Sequence, residues 1–480
     1  MDQPNILLIT TDQQRYDAAG DAAPSFLRTP HYDHLCREGV QFSSARADCP
    51  ICVPARVSIM TGKTVFGHGM EGNGNTTEAM GREGTLPALL RECGYQTAAI
   101  GKMHFGPMRS RHGFEEMILP DDYYREMRRS GHPLEPMRHG LGQNELYPGM
   151  ATVPESMTLT NWIAEQCVSY IRERRDPNQP FFLWCSFSKP HPPLDPPEPY
   201  YSMYRNAPIP DPVFGDWSED ERCPIPFARH REEWSCDLVP PEVIREARAA
   251  YYGLLTQIDY NVGRVFAALQ DQDLFRDALI LYTSDHGEFL GDHHSGGKFT
   301  FHEASCHVPF VLRLPQSWEN RCHGTRNNKL VTHADILPAF LRAAGGAPPE
   351  GIEGHDLVAL ARGEIEGRAY LESTAEWGLY FGITDGRWKY IFYPEGGSQQ
   401  FFNLIEDPQE LRDLARCGEC AEEMARLKDE MIRRHTQRGS QWLRNGKLVE
   451  KPPQGDTAAE RRNHPWPGYH TDHCGLDVCH

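Results

Sequence analysis

Four short apolar runs in the chain stop abruptly at polar residues. Residues 5–11 (NILLITT) end at Asp12, and 278–284 (ALILYTS) end at Asp285. Residues 96–100 precede Gly101-Lys102-Met103-His104, and 180–187 precede Ser188-Lys189-Pro190-His191. Continuous apolar runs of this length predict strands buried on both faces of a parallel sheet. Amphipathic stretches between them predict helices: 86–93 closed by Gly94, 159–175 closed before Pro177, and 243–269. The alternation predicts an α/β fold, with a large doubly wound, mixed or mostly parallel sheet flanked by helices. Such sheets bind ligands outside the carboxyl ends of their strands, so four polar strand ends become parts of one candidate site.

From about Gly367 the texture changes to short strand-like pieces, 369–371, 380–384 and 388–393, followed by a helical stretch over 409–433. This predicts a smaller C-terminal antiparallel sheet packed by a helix. The chain is therefore divided into a catalytic α/β domain, 1–366, a small α+β subdomain, 367–438, and an irregular tail, 439–480, suited to an oligomer contact. Residues 195–241 are rich in Pro, Trp and charge with little periodicity. They are expected to form a long loop near the substrate mouth, with Trp217 and Trp234 lining the entrance.

Composition narrows the function classes. A chain of 480 residues with 39% hydrophobic residues can fill a large core and carry an appended domain. A formal net charge of -18 argues against nucleic acid as partner, since that binding needs clustered Lys and Arg. No apolar run approaches the roughly 18 residues of a membrane helix, so no membrane partner is expected. Met1 leads through Asp2 and Pro4 straight into a strand-like segment, giving a cytoplasmic expectation. Fourteen scattered cysteines suit a reducing compartment.

One cysteine stands apart. In Cys52-Val53-Pro54-Ala55-Arg56, continuing to Thr61-Gly62-Lys63, Pro54 fits the first turn of a helix that Gly62 closes. Cys52 is thereby placed at the helix N-terminus, where backbone N–H groups favour anionic chemistry. A buried, inert thiol is the bland alternative. Asp12, Asp285 and His286 supply two carboxylates and an imidazole, and Gln13 adds an amide oxygen. This oxygen-rich set points to one divalent cation, Ca²⁺ first, with Mn²⁺ or Mg²⁺ as competitors. Arg56, Lys102 and Lys298 offer positive charge to a tetrahedral anion, and His104 and His191 offer acid–base chemistry. Asn73 and Asn75, in a Gly-rich loop, are candidate substrate-binding amides or ordinary turn formers. His293 and His294 read as supporting residues, and Cys417 and Cys420 as a plain pair.

The Cys52 segment resembles the Cys-x-Pro-x-Arg signature of type I sulfatases of the alkaline-phosphatase superfamily. Gly101-Lys102-Met103-His104-Phe105-Gly106, Lys189-Pro190-His191-Pro192-Pro193, Thr283-Ser284-Asp285-His286-Gly287 and Asp407-Pro408-Gln409-Glu410 are similar to further motifs of that family, in its order. The resemblance implies that a formylglycine-generating enzyme converts Cys52 to formylglycine, which joins the metal ligands and hydrolyses a small anionic sulfate ester. Ala55 and the Asp12-Gln13 pair are also similar to phosphonate monoester hydrolases, and the latter to choline sulfatases. The alternative is therefore a phosphonate monoester or phosphodiester hydrolase with the same nucleophile. Those relatives imply a homo-oligomer, dimer or tetramer. Outside this chemistry stand a two-metal phosphatase with an unmodified nucleophile and a non-enzymatic binding protein.

Overall fold

The computed structural model describes residues 3–74, 77–80, 84–219, 221–319 and 322–454. Among the described residues, two main sheets are formed by β1 (Ile6–Asp12), β2 (Val40–Phe42), β3 (Gln96–Gly101), β4 (Glu116–Ile118), β5 (Phe181–Pro190), β6 (Leu279–Ser284), β7 (Phe310–Arg313) and β8 (Thr325–Asn327) in the larger, and β9 (Leu371–Ala375), β10 (Tyr380–Thr384), β11 (Trp388–Phe392) and β12 (Gln399–Asn403) in the smaller, with a two-stranded hairpin of β13 (Leu443–Arg444) and β14 (Lys447–Leu448) beyond them. The larger sheet has the order β4-β3-β5-β1-β6-β7-β2-β8. Its centre, β3-β5-β1-β6, is parallel, and β7 runs antiparallel to β6 and β2.

The four apolar runs are these four central strands, and both of their faces are buried. Leu7 and Ile9 point into a core shared with the Leu159–Ser169 and Pro241–Asp271 helices, while Ile6 and Leu8 point into a second core with the Leu86–Glu92 and Ile336–Ala343 helices. This two-sided burial is why the runs are continuous rather than alternating. The remaining strands of this sheet, β2, β4, β7 and β8, lie outside the four predicted runs. They span three or four residues, and β8 (TRN) is largely exposed, so it carries no apolar signal.

The smaller sheet is antiparallel in the order β12-β11-β10-β9, as expected, with β12 as an added strand. Its helix is Ala421–Gln437, starting later than the 409–433 pattern implied. Glu410 adopts a left-handed φ of 58°, which breaks any helix at that point.

The 195–241 stretch differs from expectation in two ways. It contains the Tyr200–Met203 and Ile225–Trp234 helices, and its tryptophans do not line an entrance. Trp217 is fully buried, stacks on His302 at 4.7 Å and donates its indole N–H to Glu410 O at 2.8 Å. Trp234 is also buried and packs over Gly296 and Gly297, where an added Cβ would meet its ring at 2.4 and 2.9 Å. An indole offers too much apolar surface to leave at a solvated mouth when a glycine pair provides a flat seat beneath it.

Candidate active site

The site grows from the carboxyl ends of β3, β5, β1 and β6. Backbone hydrogen bonds hold these ends side by side: Lys102 N donates to Ser186 O (2.9 Å), His191 N to Asp12 O (3.1 Å) and Asp285 N to Thr11 O (3.3 Å). Gly101 is required for this closeness. Its φ is 102°, and a Cβ there would lie 1.9 Å from Ser186 O. The helix Cys52–Thr61 arrives opposite, begun from extended Ile51 and closed by Gly62 at φ 65°. Cys52 and Arg56 are one turn apart on it and so share a face.

On that face, Cys52 Sγ lies 3.1 Å from His286 Nε2 and 4.0 Å from Asp12 Oδ1. His286 Nε2 lies 3.6 Å from Asp285 Oδ1 and 3.9 Å from Asp12 Oδ1. Ligand-type atoms of these four buried residues all fall within 4.8 Å of one another. His286 Nδ1 bonds Gly287 O at 3.0 Å, which fixes the ring and turns the Nε2 lone pair of the neutral tautomer toward the carboxylates. Acceptors facing acceptors at this range need a cation between them, so the donor set fits a hard divalent ion.

The remaining candidates surround this group. Arg56 Nη2 bonds Asp285 Oδ2 at 2.9 Å and Asp12 Oδ2 at 3.3 Å, and Lys102 Nζ bonds Asp12 Oδ2 at 2.6 Å. Gln13, at φ 73°, donates its backbone N–H to Asp285 Oδ1 (3.1 Å), and its amide oxygen accepts from Lys298 Nζ (2.8 Å). Lys298 Nζ also lies 3.3 Å from His191 Nε2. His104 is half-buried, two residues beyond Lys102, at φ 56°. Asn73 Oδ1 accepts from Val53 N at 3.1 Å, so this amide caps the Cys52 helix. Asn75 lies outside the described residues. His293 and His294 serve structure: the first accepts from Gly215 N at 3.0 Å, the second pairs with Glu219 at 2.6 Å. Cys417 and Cys420 are free thiols.

Electrostatics follow from burial and pairing. Burial would raise Asp12, but Lys102 foremost, with His191 and Arg56, holds its carboxyl well below the usual range. Burial and the Asp12 charge raise Asp285. Burial and Asp12 push the Cys52 thiol up, yet Lys298, Lys102 and His286 outweigh them and bring it down to about 6. Burial depresses His286, but Asp285 and Cys52 raise it overall. Burial, then Lys298 and Lys102, push His191 well below the imidazole range.

Two supporting residues escaped sequence reasoning. Glu288 accepts from Leu290 N (2.9 Å) and Gly297 N (2.5 Å) and bonds the Gln13 amide, tying the Asp285 loop to the Lys298 loop. Its only sequence signal is an acidic residue within a stretch otherwise suited to burial. Ser186 accepts from Arg56 Nη1 (2.9 Å) and donates to Lys102 O (2.5 Å), and nothing distinguishes it within its strand.

A cation-seeking acceptor group beside a helix-borne nucleophile and buried Arg and Lys, on the carboxyl edge of a doubly wound sheet, defines a hydrolase of anionic esters. Comparison with known proteins narrows this: the sulfatase family model matches residues 4–347, and the model for the N-sulphoglucosamine sulphohydrolase C-terminal region matches 291–437. The chain belongs to the sulfatase family and is a sulfuric ester hydrolase. An arylsulfatase of Clostridium perfringens is 30% identical over 94% of this chain and 98% of its own length. A choline-sulfatase of Rhizobium meliloti is 30% identical over 86% of this chain and 82% of its own. Among solved structures, the phosphonate monoester hydrolase of Silicibacter pomeroyi has a TM-score of 0.76 at 25% identity, covering 91% of this chain and 96% of that one.

Proposed function

We propose that Cys52 is matured to formylglycine and that residue 52, Asp12, Gln13, Asp285 and His286 hold one divalent cation, forming a site that hydrolyses a sulfate monoester. The observation that carries this reading is the convergence of Cys52 Sγ, at a helix N-terminus, on Asp12, Asp285 and His286. A cation bound there, Ca²⁺ first and Mn²⁺ or Mg²⁺ otherwise, supplies Lewis acidity toward the ester and toward residue 52. As a hydrated aldehyde, residue 52 supplies one hydroxyl to attack sulfur and a second to drive release of sulfate.

The chain's own residues do the rest. Arg56 and Lys102 neutralise Asp12 and Asp285 and present positive charge to the nonbridging oxygens, in a buried site where such charge acts strongly. Proton delivery falls to Lys298. The bond from His191 Nδ1 to Pro192 O (2.9 Å) places the proton of the neutral ring on Nδ1, leaving Nε2 as an acceptor for Lys298. His191 therefore aims the ammonium, and Lys298 protonates the leaving oxygen. His104 is a candidate acid–base residue two positions beyond Lys102, and Asn73 reaches substrate through its NH₂ end.

The test is the mass of the Cys52 peptide from protein co-expressed with a formylglycine-generating enzyme, together with sulfate release from an aryl sulfate. Conversion lowers the mass by about 18 Da, and Cys52→Ala lowers turnover by about 10⁴-fold or more. Full turnover by the unmodified thiol would overturn the reading.

A second reading, hydrolysis of phosphonate monoesters or phosphodiesters by the same nucleophile, is favoured by Gln13, whose neutral amide stands where a further carboxylate would repel a more anionic centre. The ratio of kcat/KM for 4-nitrophenyl sulfate to that for 4-nitrophenyl phenylphosphonate separates the two. Likeness to choline sulfatases and phosphonate monoester hydrolases further supports a dimer or tetramer, measured by sedimentation equilibrium.

A further inference from the structure

Beside the reacting centre lies an open cleft that shares Lys102 and His191 with it. The wall is mostly aromatic and aliphatic, contributed by Tyr123, Tyr124, Met137, Val153 and Leu159. Its charges are already matched. Lys102 pairs with Asp12 at 2.6 Å, Lys189 with Asp195 at 2.5 Å, and Asp195 also holds His139 at 3.0 Å. Both ring nitrogens of His191 are engaged, Nδ1 with Pro192 O at 2.9 Å and Nε2 with Lys298 Nζ at 3.3 Å. The cleft thus offers neither an unpaired carboxylate for an ammonium nor an unpaired cation for a second sulfate.

It does offer an unspent acceptor. Gln257, on the Pro241–Asp271 helix, is fully buried in the cleft wall. Thr158 Oγ1 gives its proton to Glu155 O (2.8 Å) and accepts from Asn161 N (3.3 Å), so Gln257 must approach it (2.9 Å) as a donor through Nε2. The amide orientation follows, and Oε1 receives no hydrogen bond among the described residues. Ser188 Oγ, on another wall of the cleft, is buried and likewise has no hydrogen bond among the described residues. Buried acceptors in native proteins are normally satisfied, and these two stand where the organic half of an ester leaving past His191 would lie.

We propose that this cleft binds the alcohol half of the ester, and that this alcohol is neutral, predominantly aromatic and carries a hydroxyl or N–H donor received by Gln257 Oε1. This rests on the sulfatase site described above and adds the substrate class. Gln257 is a specificity residue, distant from the bond that breaks.

Two matched substrates test it: 6-hydroxy-2-naphthyl sulfate and 6-methoxy-2-naphthyl sulfate, which differ in the donor and in one methyl group. With the Cys52-matured protein, the hydroxy compound is preferred by about tenfold in kcat/KM, the worth of one good neutral hydrogen bond. The preference resides in KM, and Gln257→Met reduces the ratio to about one. Equal kcat/KM for the pair, a preference that survives Gln257→Met, or faster turnover of choline sulfate than of either would overturn the proposal. Fluorescence binding of 6-methoxy-2-naphthol against 2,6-dimethoxynaphthalene, which has no donor, reads the same selectivity without turnover. It therefore keeps its meaning if the formylglycine reading fails and even 4-nitrophenyl sulfate is left intact. It also needs only the unsubstituted protein, should the variant not fold.

Discussion

Two buried charge clusters invite comparison. One is the candidate active site. The other joins the two sheets: Glu303 accepts from Arg46 Nε (2.8 Å), Arg46 Nη2 (2.8 Å) and Lys389 Nζ (2.6 Å). Lys389 spends its other two protons on Glu410 Oε1 (2.7 Å) and Phe301 O (2.6 Å), and Glu410 Oε2 accepts from Glu303 N (2.6 Å). Each cluster contains two carboxylates and two permanent cations, so charge balance does not separate them. Acceptor balance does. In the second cluster every lysine proton has its own oxygen, whereas in the first Asp12, Asp285, Cys52 and His286 turn lone pairs on one another. A closed network holds structure together, and an open one waits for a ligand.

The sharpest way to break this comparison is to remove one carboxylate from each. Asp285→Asn is expected to lower kcat/KM by about 10³-fold while leaving the metal-free melting temperature unchanged or higher, since it relieves repulsion with Asp12. Glu303→Gln leaves Arg46 and Lys389 under-compensated and costs about 3 kcal/mol by urea denaturation. Equal stability losses in both would erase the distinction.

Chelation comes next. EDTA is expected to abolish turnover and, from a protein held at about 100 times the dissociation constant, to remove about 3 kcal/mol of stability by mass action. Added Ca²⁺, Mn²⁺ or Mg²⁺ restores both. In Asp285→Asn the melting temperature no longer responds to chelator, whereas in Glu303→Gln it still does.

A smaller effect concerns Asp292, which pairs with Arg15 at 2.7 Å and with Arg248. Burial pushes this carboxyl up, but the two guanidinium groups outweigh it and hold it at about 2, below its ordinary value of 3.8. A depressed carboxyl contributes stability fully above its unfolded value and loses it as pH falls from about 4 through about 2. The contribution is about 2 kcal/mol, seen as a flatter acid-unfolding profile in Asp292→Asn. The smallest change expected is for Asn73→Ala, which frees Val53 N at the head of the Cys52 helix and costs about 1 kcal/mol.

The parts of the molecule legible in sequence were those where one physical demand dominates. β1, β3, β5 and β6 are buried on both faces, so their sequences are uninterrupted apolar runs, and the polar residue ending each run is where the site begins. Cys52 and Arg56 were legible because Pro54 and Gly62 bracket a short helix. Glu288 and Ser186 were not, because a buried hydrogen-bonding role leaves no periodic trace. The burial of Trp217 and Trp234 was misjudged for a related reason. A Pro-rich stretch reads as solvated, yet its two indoles find seats on His302 and on Gly296 and Gly297, made by residues far along the chain.

The pairing of Arg56 and Lys102 with carboxylates has a consequence for how substrate arrives. Arg56 and Lys102 are buried and neutralised at close range, so little of their potential extends beyond the roughly 10 Å over which charge is felt at 0.1 M salt. What an approaching sulfate ester meets first is a chain carrying -18 formal charges. Its encounter is therefore retarded rather than steered, and the association rate rises as added salt screens that field, opposite to the trend of enzymes with an exposed cationic funnel.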